Sequence, residues 1–532
     1  MIPSFGTIAA HRFGLGPRPG EPPAEDVDAL MAQVQRGVAE TCPFPYDGID
    51  GRRASFAQFR TLFRANQDAK KNGTVRKVGD RTVNPYEIGL TAASLRDQHL
   101  KIRHAVESPN GFFERLASFW CGHFAISAGK SSAMRVLVGL YEAEALRPNL
   151  AGSFKQLLTA ATLHPAMLIY LDQTKSVGPG SAYGVKKGLG LNENLARELI
   201  ELHTLGAGSG YTQDDVRAAA CVLTGLDSES WKFRMAYHQD RAEPGIHRVL
   251  GTDYGGPVRR LEDVKALLSD LAGKEATRRH ICRKLVVHFI ADDPPTEVVE
   301  AMVAAWSESD GNLPDVYRAM LEHPRSWEQE GQKARQPYEF VVAGLRALNV
   351  PGDALAPVRV ADVQSMVAAG AETGTMAEPA QPAMAKPVAG NDMDMTGVSG
   401  AGVERNTPAA MSETGGVGLV AAPTADGRIP FRANPYSVGA LSRFGQPMWK
   451  PASPAGWDEN LASWITASQL TERIAWSRTL VARFGEGQDP RGLLQATLGD
   501  LARDDTIQSV ARAPSREIGL AMVLASPEFN RR

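Results

Sequence analysis

Through most of the first 350 positions, apolar residues recur at intervals of three and four, the period of an amphipathic helix. One long amphipathic stretch runs from about 85 to 106. The next helix is predicted to start at Ser108-Pro109, a good cap followed by a residue suited to the first helical position. It should continue through FFERLASFWCGHF. There Phe112, Leu116, Phe119 and His123 fall at i, i+4, i+7 and i+11, so His123 shares the apolar stripe. A hydrogen-bonded core histidine is the default reading of such a position. Strand signals are few. WKFRMAY (231–237) and HRVL (247–250) are predicted to pair as one hairpin, with Pro244-Gly245 in the connection. The pattern predicts a mainly α, multi-helix globular protein with one short β-hairpin and a long disordered insertion.

The period breaks from 351 to 426. This stretch has almost no aromatic residues and no repeat, so it cannot bury enough apolar surface to offset the cost of ordering. Disorder is expected there, and its methionines, Met393 and Met395 among them, read as linker composition rather than soft-metal ligands. Residues 1–350 are then the main helical lobe. Residues 427–532 are a helical segment rich in tryptophan and proline, expected to pack back on that lobe. Trp449, Trp457, Trp464 and Trp476 lie in it. Such a segment is a rigid wrap pinned to the core, or a surface on which sugars stack.

The densest polar chemistry is NENLARELIELH (192–203). With Asn192 as the cap, Glu193, Asn194, Arg197, Glu198 and Glu201 cover an arc of roughly 140°. Leu195, Leu199, Ile200 and His203 lie on the other side. As a solvated face, the pairs Glu193–Arg197 and Arg197–Glu201 each add about 0.2–0.5 kcal/mol. As a functional face, Glu198 and Glu201 look into a cleft as acid and base, with His123 as a further catalytic candidate. Two inward histidines, His123 and His203, could also meet Glu198 around a divalent metal, with His238 as a fourth ligand. No H-E-x-x-H motif supports this. The approach to the helix, GPGSAYGVKKGLG (178–190), is glycine-rich and basic. Lys186, Lys187, Asn192 and Arg197 are therefore candidates for holding an anion at the helix start. The spacing is not that of a phosphate loop, because Gly184 is followed by Val185. Thr212 and Asp215 form a capping box for a following helix, and His164 and His323, each before proline, read as caps. No G-x-S-x-G elbow is present.

Composition narrows the class. At 532 residues the chain is too long for one ordinary core. A net charge of −2 gives no overall attraction to nucleic acid or anionic membrane. No apolar run approaches the length of a membrane span; LVVHFIA (285–291) is among the longest. The start, MIPSFGTIAAHRFG, lacks a basic residue leading into a long apolar core, so the chain as written reads as cytoplasmic. The four cysteines have no C-x-x-C spacing and read as free thiols.

The run NENLARELIELHTLGAGSGYTQDDVRAAACVLTG resembles the signature of the bacterial "domain of unknown function 1800" family. HRFGLGPRPGE, ERLASFWCGHF, SFKQLLTAATLHPAMLIYLD, RKLVVHFIADDPP and FGQPMWKPASPAGW match it in the same order. The resemblance implies a mostly helical bacterial protein with no established activity. It also implies gene neighbours of the "domain of unknown function 1501" family, whose members are similar to alkaline phosphatases and sulfatases. Many members carry an export signal, often of twin-arginine type, and are periplasmic. Here no twin arginine precedes an apolar stretch, and His238 is displaced from Glu243-Pro244-Gly245, where the family tends to place its histidine. Three functions are carried forward. The first is an accessory or binding protein acting with a phosphatase- or sulfatase-like partner. The second is a metal-assisted, hydrolase-type enzyme with a His/Glu site between helices. The third is a carbohydrate- or polymer-binding module.

Overall fold

Helix α1 (Pro85–Glu107) starts at Asn84, whose side chain accepts from the backbone N–H of Glu87, and has Pro85 in its first turn. Its buried positions go right round the helix: Leu90, Ala93, Ile102 and Val106, but also Asp97, His99 and Lys101. A helix buried on all sides belongs inside a larger protein. Its polar residues must then find partners there. Asp97 does, accepting from Arg52 at 2.8 Å and from the backbone N–H of Tyr46 at 2.8 Å. The computed structural model describes residues 3–328, 333–361 and 427–532.

Ser108 closes α1 rather than opening the next helix. The residue before a proline is pushed out of the helical region, and Ser108 is extended at ψ 129°. Its hydroxyl accepts from Asn110 N–H at 3.1 Å, and Asn110 is the N-cap of α2 (Gly111–His123). The predicted stripe is present: Phe112, Leu116, Phe119 and His123 are all buried.

Three helices pass into wider π turns, the first being Phe5–Ile8, which continues as Ala9–Phe13. Helix α3 (Met134–Tyr141) continues as Glu142–Leu146, and α4 (Asn194–Glu198) as Leu199–His203. Such turns shift the register of a helix and recur at functional sites. Helix α5 (Gln213–Leu223) carries the predicted capping box of Thr212 and Asp215. Helix α6 (Glu275–Phe289) is followed by Thr296–Glu308 and Leu313–Glu322, then by α7 (Pro337–Ala347). The side chains of His164 and His323 accept from Ala166 N–H (3.1 Å) and Arg325 N–H (3.3 Å), so both are caps.

Residues after 427 share the same core. Phe340 of α7 meets Phe444, Trp476 and Phe529 at ring distances of 6.0, 5.3 and 5.9 Å. Gly344 allows this approach, because a Cβ there would lie 2.7 Å from the Trp476 ring. Buried arginines tie helix ends together. Arg346 donates to the carbonyls of Val106 (3.0 Å), Ser108 (3.0 Å) and Gly16 (2.9 Å), and Arg259 to that of Val222 (3.0 Å). The last carbonyls of a helix lack partners within it, and the rigid guanidinium fork can serve several at once.

The β structure is four two-stranded antiparallel ladders among the described residues. The two halves predicted to form one hairpin do not pair with each other. Met235–Tyr237 pairs with Leu226–Ser228, and Gly245–Val249 pairs with Thr252–Gly256. Leu250 (φ 49°) and Gly251 (φ 84°) make a tight left-handed turn that folds the second strand straight back. A short ladder, Val358–Arg359 with Phe431–Arg432, joins the chain on either side of the low-complexity stretch. Of that stretch, where disorder is expected, residues 362–426 lie outside the described residues. No described helix is long and apolar enough to cross a membrane.

Candidate functional site

A cavity of about 310 Å³ lies between α2, α6 and the 446–459 segment. One face of α6 forms a wall with His280, Arg283, Lys284 and His288, spaced so that they share a helical stripe. Helix α2 supplies Phe119, Cys121 and His123 opposite. Lys101 of α1, Glu142 of the π turn that follows α3 and Tyr338 of α7 lie deeper. Met448, Trp449, Gly456 and Trp457 cover the space.

Lys284 and His123 define the α6 side. The Lys284 ammonium is 3.1 Å from His123 Nδ1, and His123 Nε2 is 3.2 Å from the carbonyl oxygen of His203. A carbonyl only accepts, so Nε2 carries the proton and Nδ1 presents its lone pair to Lys284. His123 is thus a neutral imidazole. Burial drives its pKa well below the ordinary value, and the neighbouring Lys284 charge adds to that. Burial also lowers Lys284, to about 8, against a partial pull upward from Glu459. Neither Lys284 nor Arg283 makes an ion pair among the described residues. His203 stands behind His123 with ring centres 6.1 Å apart; it is fully buried and neither ring nitrogen has a partner among the described residues. Burial lowers it to about 3, and lowers His280, 6.5 Å from His123, to about 4.

One turn further along α6, His288 Nδ1 is 2.7 Å from Glu459 Oε1. Burial pushes the Glu459 carboxyl up, but His288, Lys333 and Arg532 outweigh burial and hold it at about 2. Burial takes His288 down to about 3. Near neutral pH, then, His288 is uncharged and donates from Nδ1 to a carboxylate, and its Nε2 has no partner among the described residues. At the deep end, Lys101 lies 2.5 Å from Glu142, which also accepts from the Trp449 indole N–H at 2.9 Å. Burial pulls Lys101 down, but Glu142 more than offsets it and the pKa ends above normal. The Cys121 thiol is pushed up, first by burial and then by Glu142, which leaves little thiolate.

The cover is fastened at both ends. Trp449 sits at φ 55°, a costly conformation for a bulky residue. Its indole is held by Glu142, and its carbonyl accepts from Ala128 N–H at 2.8 Å. Gly456 has φ 84°, and a Cβ there would come within 2.3 Å of the Gly122 carbonyl oxygen. Only glycine fits. Gln336 donates to the Asp458 carbonyl (3.2 Å), Lys333 to that of Glu459, and Asp292 accepts from Leu461 N–H (2.8 Å).

Of the residues singled out in the sequence, His123 and His203 do meet. Glu198 and Glu201 lie outside the cavity walls. Glu198 is partly buried and its pKa is raised, by burial and then by Glu201. Arg197 pairs with Glu201 at 3.0 Å and Glu193 at 3.5 Å, and Gln213 bridges Arg197 and Glu193 at 2.8 Å each. Asn192 accepts from Asn194 N–H at 2.9 Å as a local cap. Lys186 and Lys187 are exposed on the Ala182–Lys187 helix, and His238 lies 3.5 Å from Asp227. The metal candidates His123, Glu198, His203 and His238 are not gathered. Among the described residues, no group of three or more His, Cys, Asp or Glu side chains is placed to hold a metal ion. Trp449 and Trp457 line the cavity, whereas Trp464 and Trp476 are buried away from it.

Lys284, His280 and His288 are not among the residues singled out in the sequence. The signal was present in RRHICRKLVVHF: three basic residues at i, i+4 and i+8, beside a stripe of Ile281, Leu285 and Phe289. Lys101, Glu142 and Glu459 had no local signal.

A family model described as "Protein of unknown function (DUF1800)" matches residues 8–531. No curated protein and no solved structure matches the chain.

Proposed function

The chain belongs to the DUF1800 family, and on that premise we propose that it binds a small organic anion in the cavity beneath Trp449 and Trp457. One observation carries this reading: the α6 wall presents Lys284, and the exposed Arg283 beside it, with no ion-pair partner among the described residues, and Glu459 acts on Lys284 only through space. The contrast is Lys101 in the same cavity, which is matched by Glu142. A partly buried ammonium without a counter-ion is costly, and an incoming anion would relieve that cost through a charge-assisted hydrogen bond, worth about 1.5–3 kcal/mol. The volume, about 310 Å³, suits a small molecule, and the aromatic cover would hold its ring or chain.

This reading stands ahead of the metal-assisted one on physical grounds. His123 already has both ring nitrogens engaged, one donating to the His203 carbonyl and one accepting from Lys284, so it has no lone pair to offer a metal. It also absorbs part of the partner reading. A phosphate or sulfate ester is the class of compound that a phosphatase- or sulfatase-like partner would handle, so the two would meet in the ligand.

The test is calorimetric titration of the full chain with phenyl phosphate, phenyl sulfate, benzoate and neutral maltose. Binding of the anions by the wild type, lost in Lys284→Gln, is expected. Binding of maltose alone, unchanged by Lys284→Gln, would instead favour the carbohydrate reading. No anion bound at millimolar concentration would overturn the proposal.

A further inference from the structure

We infer that Lys284 is a reactive amine, and that the ligand carries a carbonyl group beside its anionic group, as an oxo acid or an aldehyde phosphate does. The inference rests on the anion-binding reading above and makes its substrate class narrower. The two lysines of this cavity differ in what they face. Lys101 faces the Glu142 carboxylate at 2.5 Å and also lies over the Trp449 ring. Both contacts favour the charged form, so Lys101 is a structural cation. Lys284 faces the lone pair of a neutral imidazole, and that imidazole is locked in its tautomer by the His203 carbonyl. This arrangement orients the lysine without fixing its charge. It leaves the nitrogen free to shed one proton and present a lone pair to the cavity. Burial acts in the same direction on the proton equilibrium of Lys284. A lysine in a desolvated pocket is the usual nucleophile toward carbonyl compounds.

The step balances without any further reagent. The ammonium first gives one proton to solvent. The neutral amine then adds to the carbonyl carbon, forming the N–C bond. The carbonyl oxygen leaves as water, taking both remaining protons of the amine nitrogen, and the product is an imine. Arg283, one residue away on the same face, is placed to receive the ligand's anionic group.

The test uses the full chain with glyoxylate or glyceraldehyde 3-phosphate near neutral pH, trapped with cyanoborohydride and mapped by peptide mass. Lys284 should be labelled saturably and on the order of tenfold faster than the exposed Lys186 and Lys187. The Lys284→Arg variant should lose that one adduct and keep the slow surface ones. The comparison within the wild type stands even if the variant fails to fold. Labelling of Lys284 no faster than that of Lys186 and Lys187 would overturn the inference. If anions still bind by calorimetry in that case, the anion-binding reading survives and only the amine chemistry falls. If neither is seen, both fall.

Discussion

Lys284 and His123 share a hydrogen bond of 3.1 Å in which only the lysine can donate. A cation is therefore held inside the fold by a neutral partner, and this arrangement has a signature in stability. In the unfolded chain Lys284 titrates near its ordinary 10.5; in the folded chain it titrates near 8. Between those values the unfolded chain holds a proton that the folded chain has released, so this group's contribution to stability rises with pH across that window. Below it, the burial cost is fully present. The Lys284→Met variant removes the group. Its stability relative to wild type should be greatest near pH 7 and decline toward pH 10, by at most about 3 kcal/mol. Urea unfolding of both proteins across this range measures the difference; a constant difference would count against the buried cation.

The imidazoles predict the opposite limb. His203, His280 and His288 are held neutral by burial, at about 3, 4 and 3. Each has a folded value below its unfolded one, so its stabilising share is intact above about pH 6.5 and is lost as the pH falls toward the folded value. His203 is the cleanest probe, because neither of its nitrogens has a partner to lose among the described residues. The His203→Leu variant should be close to wild type at pH 7. It should lose less stability between about pH 6.5 and 4.5, by up to about 1.4 kcal/mol per pH unit. Parallel acid limbs for the two proteins would contradict this.

Glu142→Gln leaves Lys101 buried without its carboxylate. Removing one partner of a buried pair costs about 3–5 kcal/mol, whereas replacing both is far milder. The double variant Glu142→Gln, Lys101→Met should therefore recover much of the loss. Denaturant midpoints of the wild type, each single variant and the double variant provide the comparison.

Gly456→Ala tests the cover. The residue must leave φ 84° or drive its Cβ into the Gly122 carbonyl, 2.3 Å away. A cost of about 1–3 kcal/mol is expected. It should fall mainly on the 446–459 segment, read out as a change in tryptophan fluorescence and weaker anion binding while far-ultraviolet dichroism is retained.

Local chemistry was legible. The Thr212–Asp215 capping box, the caps at His164 and His323, and the inward stripes carrying His123 and His203 all follow from spacing within one helix. Where a neighbour decides, the reading slipped. Pro109 pushes Ser108 out of the helix, so Asn110 takes the cap, and the Leu250-Gly251 turn re-pairs the strands. The cavity itself depends on pairings across great separations. His123 and Lys284 are 161 positions apart, and His288 and Glu459 are 171 apart. Hydrophobic period says which way a side chain faces, but not which distant side chain it will face. The π turn at Leu199–His203 adds a second obstacle, since a uniform helical step no longer describes that stretch.

The small ladder between Val358–Arg359 and Phe431–Arg432 has an evolutionary consequence. It acts as a clasp that sets where the chain leaves and where it returns, so the cover over the cavity is positioned independently of how much chain lies between. For a flexible link, each doubling of length costs only about 0.6 kcal/mol of loop-closure entropy. Selection can thus trim, extend or replace it while the geometry of Trp449 over Glu142 stays fixed. Relatives with very different link lengths are expected to keep the same chamber.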